Sequence, residues 1–451
     1  MGDLRKAFVL GMARSGYEAA KLLAAKGYDV IVNDAKSEQD PEHLNELEAL
    51  GVNRVLGSHP EDLFDDSYEL LVKNPGIPND HIYVKKANAF GIPVINELEL
   101  GYRYFPQGVK IIGITGTNGK TTTTTIIHKM LAEAKKSAYL MGNIGLPVCS
   151  FVSGLKAGDI AVMEVSDHQL CNALDFKADI AVMTNLFEAH IDFHGSYEKY
   201  KKIKKRIFNH HTKDDVAILN MDNAEVLKLA NDIKSTKKYF SGISENQAEC
   251  SIKDGYICYN NEKIIELGDI RIKGRHNYEN VMAAIATVKE FGVENIAIVN
   301  VLKTFGGVEH RMEFVTTING IDFYNDSKST NITSTQIALA SFNKPTVLML
   351  GGLDRGHSFE ELKDYLKNVK LIVAYGETRD RIKEFAVRNA ISCNTVETLE
   401  EATKEAYKSS KPGDIVLLSP ACASWDQFKD FEIRGNMFKE YIRNLNSTGL
   451  S

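Results

Sequence analysis

Val109-Lys110-Ile111-Ile112-Gly113-Ile114-Thr115-Gly116-Thr117-Asn118-Gly119-Lys120-Thr121-Thr122 is the stretch whose reading decides the fold. An apolar, β-branched run stops at a glycine-punctuated turn. After it, Ile126, Ile127, Met130, Leu131 and Ala134 recur at helical spacing. Strand, glycine loop and helix in succession are the context that a phosphate-binding loop requires. Glycines let backbone N–H groups approach phosphate oxygens, and the helix N-terminus adds unpaired donors and the positive end of its dipole. On that reading Lys120 offsets the charge of the β/γ-phosphates and the Thr121 hydroxyl ligates Mg²⁺. Ile114 stands where the strict pattern G-x-x-x-x-G-K-S/T has glycine, so the textual match is incomplete. A glycine turn with a solvated lysine is the competing reading.

At 451 residues the chain is too long for one core, and about three domains are expected. Hydrophobic residues make up 43% and charged residues 25%, as in ordinary globular proteins, and the formal net charge is −6. That balance gives no reason to expect nucleic acid or an anionic membrane as partner. No apolar run approaches the ~20 residues that span a bilayer. The run from Ala7 to Met12 is too short for a secretory signal. Cys149, Cys171, Cys250, Cys258, Cys393 and Cys422 are scattered without a C-x-x-C pair. They read as buried thiols of a cytoplasmic protein, not as a disulfide framework or zinc site.

Working outward, residues 1–108 alternate apolar runs (Ala7–Leu10, Val30–Val32, Leu70–Val72, Val94–Ile95) with helical patterns, which predicts a small parallel α/β unit. Gly11-Met12-Ala13-Arg14-Ser15-Gly16 follows the first strand and Asn33-Asp34 the second. Ala13 breaks the dinucleotide fingerprint, so a plain strand-to-helix turn and a ligand site are both open. Asn74-Pro75-Gly76 lies at another strand end, where ligands of such sheets bind.

The central block, 109–307, continues with the strand Ile160–Glu164, whose terminal carboxylate is placed to order Mg²⁺ directly or through water. Ile180–Met183 leads to Thr184-Asn185 and then His190, which alone reads as a loop histidine. From Tyr197 to Phe208 an apolar stripe runs through Tyr197, Tyr200, Ile203, Ile207 and Phe208, and Lys204 lies within it. A buried lysine is pushed towards the neutral amine, which acts as a base or reacts with carbon dioxide to form a carbamate. Snorkelling of Lys204 out of a partly buried face is the alternative, and spacing does not choose. Residues 237–272 read as short antiparallel strands with a turn at Asn260-Asn261. The polar start of the next helix, Gly274 to Asn280, reads as caps or as ligand contacts.

A third α/β unit, 308–451, has strands at Ile321–Tyr324, Val347–Leu350, Leu371–Ala374 and Ile415–Leu418. Polar clusters follow three of them: Asn325 to Asn331, Gly351 to Arg355 and Ser419 to Trp425. Three such loops on one sheet edge predict a binding site for anionic groups.

Taken together, these residues resemble the Mur ligase family of ATP-dependent amide-bond ligases over essentially the whole chain. Gly116-Thr117-Asn118-Gly119-Lys120-Thr121 is similar to that family's own phosphate loop. Glu164 within Glu-Val-Ser-Asp-His-Gln-Leu, the Asn185 to His190 turn, Gly274 to Asn277, and His310-Arg311 resemble other positions of the family pattern. Within the family, Asn325 to Asn331 and Ser419 to Phe428 resemble the signatures of the member that adds D-glutamate. The chain departs from the common pattern at Asp167-His168, Arg355 and Trp425.

The resemblance implies an α/β fold in three domains: a Rossmann-like unit (1–108) for a uridine-diphosphate sugar, a central parallel sheet of the P-loop ATPase kind (109–307), and a Rossmann-like unit (308–451) for D-glutamate. Gly306-Gly307 would be a hinge. It implies ATP-dependent addition of D-glutamate to UDP-N-acetylmuramoyl-L-alanine through an acyl phosphate, in peptidoglycan precursor synthesis, by a monomer. Gly116, Thr117, Asn118, Gly119, Lys120, Thr121, Thr122, Asn277, Arg311 and Asp326 would bind ATP. Thr121 and Glu164 would hold one Mg²⁺, and His190 with carbamylated Lys204 a second. Lys120, His190 and Lys204 would be catalytic. Arg14, Ser15, Asp34, Gly76, Asn143 and Gln169 would hold the UDP-sugar. Lys328, Thr330, Arg355, Ser424 and Phe431 would hold D-glutamate. Another ligase of the family, such as a folylpolyglutamate synthase, is the nearest alternative. A nicotinamide-dependent dehydrogenase and an ATP-gated binding protein are the rivals from other classes.

Overall fold

In the computed structural model, residues 5–243 and 248–447 are described. The chain divides into two compact units, Met1–Phe305 and Gly306–Ser451.

The first unit carries two sheets. Strands β1 (Lys6–Leu10), β2 (Asp29–Asp34), β3 (Asn53–Leu56), β4 (Leu70–Lys73) and β5 (Val94–Ile95) form a parallel sheet in the order β3-β2-β1-β4-β5. Side chains alternate across it: Ala7 and Val9 join one core with Leu23 and Val32, while Phe8 and Leu10 join another with Leu71 and Tyr83. Strand β3 escapes a reading by apolar runs because its Asn-Arg-Val-Leu sequence lies at a partly exposed edge.

The second sheet contains β6 (Lys110–Thr115), β7 (Ala138–Gly142), β8 (Ile160–Glu164), β9 (Ile180–Met183), β10 (Val216–Asn220), β11 (Thr236–Ser241), β12 (Cys250–Lys253), β13 (Tyr256–Tyr259) and β14 (Glu262–Glu266). Their order is β14-β13-β12-β11-β10-β9-β6-β8-β7, which leaves β6 between β8 and β9. The expected antiparallel run over 237–272 is corrected in its first part, since β11 pairs parallel with both β10 and β12. The helix Ala224–Ala230 carries the chain back before β11, and the apolar pattern of a strand is blind to its neighbour's direction. Residues 244–247 of that run lie outside the described residues. Only β12, β13 and β14 pair antiparallel. Their two-residue turns, Asp254-Gly255 and Asn260-Asn261, have positive φ at both positions, as tight hairpins demand.

Buried carboxylates tie the helix Glu97–Arg103, which follows the first sheet, to the second sheet's surroundings. Glu99 is fully buried and accepts from the backbone N–H groups of Leu174, Asp175 and Phe176. Glu97 accepts from Cys149 N at 2.5 Å. A Cβ on Gly101 would stand 2.7 Å from Val148 Cγ1, so the two backbones meet there only through glycine.

The second unit has one sheet: β15 (Glu313–Ile318), β16 (Ile321–Asn325), β17 (Thr346–Gly351), β18 (Val369–Tyr375), β19 (Cys393–Thr395) and β20 (Ile415–Leu418), in the order β15-β16-β20-β17-β18-β19. All pairs are parallel except β15 with β16, which turn at Asn319-Gly320. Helices cover both faces, and the carboxyl ends of β16, β20 and β17 are neighbours.

No described helix is long and apolar enough to cross a membrane. The six cysteines are free thiols.

Burial lifts the Glu97 carboxyl from 4.5 to about 7. Between those values the folded chain holds a proton that the unfolded chain has released, so this group's contribution to stability falls as pH rises through the window. Glu97→Gln should therefore gain on wild type by up to about 3 kcal/mol between pH 5 and pH 8. Urea titrations of both proteins at the two pH values measure this, and a pH-independent difference would refute it.

Candidate active site

The loop after β6 is held in a narrow space. Gly116 and Gly119 have φ of 145° and 81°. A Cβ on Gly116 would stand 2.0 Å from Thr184 Oγ1, and one on Gly119 would stand 2.1 Å from Asn280 Oδ1. The loop's own polar groups complete the fit. Asn118 N donates to Asn185 Oδ1 at 2.9 Å, Thr184 Oγ1 donates to Asn118 O at 2.6 Å, and the Thr117 and Tyr200 hydroxyls share a hydrogen bond at 2.9 Å. Helix Lys120–Glu133 starts directly from Gly119. Lys120 Nζ reaches back to Gly116 O and Thr117 O, both at 2.9 Å, which sets its ammonium over the loop. Thr121 is buried and Thr122 half-buried in the first turn.

Glu164 ends β8 beside Ile114 of β6. Its Oε1 accepts from Asn143 Nδ2 at 2.7 Å, whereas Oε2 is buried and meets no donor among the described residues. A buried carboxylate oxygen without a donor is costly unless a cation completes it. The donor set at this strand end therefore fits a divalent ion that prefers oxygen.

Lys204 does not snorkel. Helix Tyr197–Lys205 turns it fully inward, with Nζ 3.2 Å from Thr115 Oγ1 and 3.3 Å from Asp167 Oδ1. Burial, and next the Lys120 charge, push its amine down from 10.5 to about 7. Asp167 is the hub of this region. Its Oδ2 lies 2.8 Å from His190 Nδ1, 2.8 Å from His194 Nε2 and 3.2 Å from His168 Nδ1. Burial opposes the Asp167 charge, but the histidine hydrogen bonds and the Lys204 ammonium outweigh it and hold the carboxyl far below the usual range.

One cleft of about 500 Å³ in the first unit is lined by Lys120, Asn143, Gln169 and His190, and also by Arg14, Ser15 and Gly76 from the N-terminal sheet. Gly76 sits in a turn braced from below, where fully buried Lys73 donates to Ile77 O at 2.6 Å. Gln169 Oε1 closes a capping box with Ser166. Asp34 lies elsewhere, on a cleft of about 410 Å³ with Ala13 and Lys36. Its carboxylate accepts from Met12 N and Lys36 N and so pins the glycine turn. In that turn a Cβ on Gly16 would stand 1.8 Å from Gly11 O. Asn277 donates to Lys273 O, and helix Arg275–Lys289 starts at Gly274 without a side-chain cap, which corrects the capping alternative.

The second unit gathers the remaining residues. Asp326 is buried, accepts from Ser419 Oγ at 2.7 Å and Met312 N at 3.1 Å, and is lifted by burial to about 6. Arg311 is exposed. Lys328 Nζ lies 5.8 Å from the Phe431 ring centre, and the Arg355 guanidinium stacks 4.7 Å over Trp425. Thr330 is half-buried and Ser424 buried. Fully buried Arg434 joins the loops that carry these residues, donating to Ser327 Oγ, Ser327 O and Cys422 O at 2.9–3.0 Å.

Arg434, His194, the bracing of Gly119 by Asn280 and the hub role of Asp167 were missed in the sequence. Only His194 left a signal, its four-residue spacing from His190.

Three family models match in succession: "Mur ligase MurD-like, N-terminal domain" at residues 5–96, "Mur ligase middle domain" at 114–288, and "Mur ligase, glutamate ligase domain" at 310–422. A Geobacillus sp. (strain WCH70) protein named UDP-N-acetylmuramoylalanine--D-glutamate ligase is 45% identical over 443 residues, 98% of each chain. One of the same name from Bacillus cereus (strain AH187) is 45% identical over 438 residues, 97% of each. Among solved structures, the UDP-N-acetylmuramate-alanine ligase of Thermotoga maritima shares the fold with a TM-score of 0.61 at 19% identity, covering 98% of this chain and 100% of that one. MurF from Acinetobacter baumannii gives 0.60 at 19%, covering 92% and 91%.

Gly119→Ala should weaken ATP binding at least about tenfold, because left-handed strain of ~1–2 kcal/mol adds to the clash with Asn280. Gly158→Ala, with φ of 93° but no neighbour within 4 Å, is the control that carries the strain alone. Equal affinities in a fluorescent-nucleotide titration would remove the loop from the nucleotide site.

Proposed function

The chain belongs to the Mur ligase family, and on that premise we propose that it joins D-glutamate to UDP-N-acetylmuramoyl-L-alanine with release of ADP and phosphate. The observation that carries this reading is the single cleft where Lys120 meets Arg14, Ser15 and Gly76. A phosphoryl donor on the loop and an acceptor anchored by the N-terminal turns would meet there. We assign residues 1–108 to the nucleotide-sugar, 109–307 to ATP and 308–451 to the amino acid, residues 1–4, 244–247 and 448–451 lying outside the described ones.

A carboxylate resists attack by an amine, because its charge repels nucleophiles and oxide does not leave. Transfer of the γ-phosphoryl group to the L-alanine carboxylate gives an acyl phosphate, which removes both obstacles. Lys120 offsets the charge that develops in this transfer. Glu164 and the Thr121 hydroxyl would hold Mg²⁺, which supplies further charge neutralisation at the phosphates when bound. In the second unit, Lys328 and Arg355 are the cations for the D-glutamate carboxylates. The Arg355 guanidinium lies over the Trp425 ring, and its planar fork suits bidentate recognition of a carboxylate. The D-glutamate amine then attacks, and phosphate leaves.

Lys204 and His190 are assigned to a second cation. A lysine brought down to about 7 has a substantial share of free amine at neutral pH, the form that takes up carbon dioxide as a carbamate. Lys204→Ala should lower kcat at least about a hundredfold, as loss of an electrostatic group at a reacting phosphate does. Lys205→Ala should have little effect, since that side chain pairs with Asp232 on the surface. Equal losses in a phosphate-release assay would refute the role of Lys204.

With heavy oxygen in the L-alanine carboxylate, one labelled atom should leave in inorganic phosphate, and only when ATP, Mg²⁺, the nucleotide-sugar and D-glutamate are all present. Label in AMP, or equal turnover with L-glutamate, would overturn the assignment.

A further inference from the structure

A second constellation beside Glu164 has a donor set of a different kind. Asp167 Oδ2, His190 Nδ1 and His194 Nε2 all lie within 4.8 Å of one another, and the carboxylate oxygen is 2.8 Å from each nitrogen. Neighbouring ligands about 2.1 Å from an octahedral ion are separated by roughly 3.0 Å. Each nitrogen need move only about 0.2 Å from the Asp167 oxygen to share one ion with it.

The backbone builds this convergence. Helix Ile191–His194 begins at His190, whose φ of +52° is a left-handed conformation uncommon outside glycine. That turn brings the His190 ring back onto the oxygen that His194 reaches from one helical turn later. Asp167 is equally fixed, as the first residue of a helix closed by the Ser166–Gln169 capping box. Its other oxygen faces Lys204 Nζ at 3.3 Å, an outer contact of the kind that orients metal-ligating carboxylates. The Asp167 and His194 side chains are 2% and 4% exposed, whereas that of His190 is 52% exposed. The group is thus closed on the protein side and reachable from the cleft, which Asp167 and His190 both line. His168 approaches the same oxygen at 3.2 Å but is not one of the converging three.

We propose that Asp167, His190 and His194 form a metal centre for a divalent transition-metal ion of the Mn²⁺, Co²⁺ or Zn²⁺ class, with its free coordination positions towards the cleft. Two imidazole nitrogens and one carboxylate favour such ions, whereas Mg²⁺ prefers an all-oxygen set like that at Glu164. The set is complete without a modified lysine, so carbon dioxide adds a donor to this centre and does not create it. The centre deepens the second cation position of the proposed ligase, but its test needs neither nucleotide nor substrate.

The full chain is stripped with a chelator and titrated with Mn²⁺, read by the paramagnetic resonance of free Mn²⁺, and with Co²⁺, read by visible absorption. One ion per chain should bind without nucleotide or added bicarbonate. Asp167→Asn and His194→Gln should each weaken binding at least about tenfold. Glu164→Gln and His168→Phe should leave it unchanged. Circular dichroism of each variant verifies folding, and Asp167→Asn, which keeps the side-chain shape, carries the result if His194→Gln misfolds. No stoichiometric binding to the resting chain would overturn the centre, and so would binding that Glu164→Gln removes while Asp167→Asn retains it. A chain that binds the ion yet makes no amide bond would overturn the proposed function alone.

Discussion

A methyl group has no room at Gly116 or Gly119, and the first unit is arranged around that constraint. Thr184 presses on one glycine and Asn280 on the other. The loop backbone can lie this low only because β6 is internal to the sheet, with β8 and β9 on its flanks. The same strand order brings Glu164 and Thr184-Asn185 level with the loop. Anion-binding backbone, cation-seeking carboxylate and bracing hydroxyl are thus consequences of one close approach.

Buried charge is handled differently in the two units. In the first, Asp167 is surrounded by His168, His190, His194 and Lys204, so its charge is shared among groups that can also meet a ligand or an ion. In the second, Arg434 spends its donors on a hydroxyl and two backbone carbonyls and meets no carboxylate in those bonds. It satisfies loop carbonyls that would otherwise be buried without donors. One arrangement gathers titratable groups around a cleft, and the other holds two loops in register.

The two departures in the second unit explain each other. The Arg355 guanidinium lies over the Trp425 ring, so a planar cation and a flat ring occur together. Such a contact disposes a long side chain before any ligand arrives, which would lower the ordering cost of the carboxylate binding proposed for Arg355.

Local pattern determined a large part of this protein. The strand, glycine loop and helix, most strands of the first and last sheets, the Asn260-Asn261 hairpin and the place of Lys204 on an apolar stripe are readable because each depends on residues a few positions apart, whereas only the structure shows that the Lys204 amine is buried. Direction and partnership are not local. β11 runs parallel to its neighbours because a helix returns the chain before it, and Asn280 braces Gly119 across 161 positions of sequence. Asp167 stands 23 residues from His190 and 27 from His194, and it read as a mere departure until folding set the three together. The spacing of the two histidines is written in the sequence, but the oxygen they meet is supplied by another strand end. Only the order of strands in the sheet decides which strand ends become neighbours.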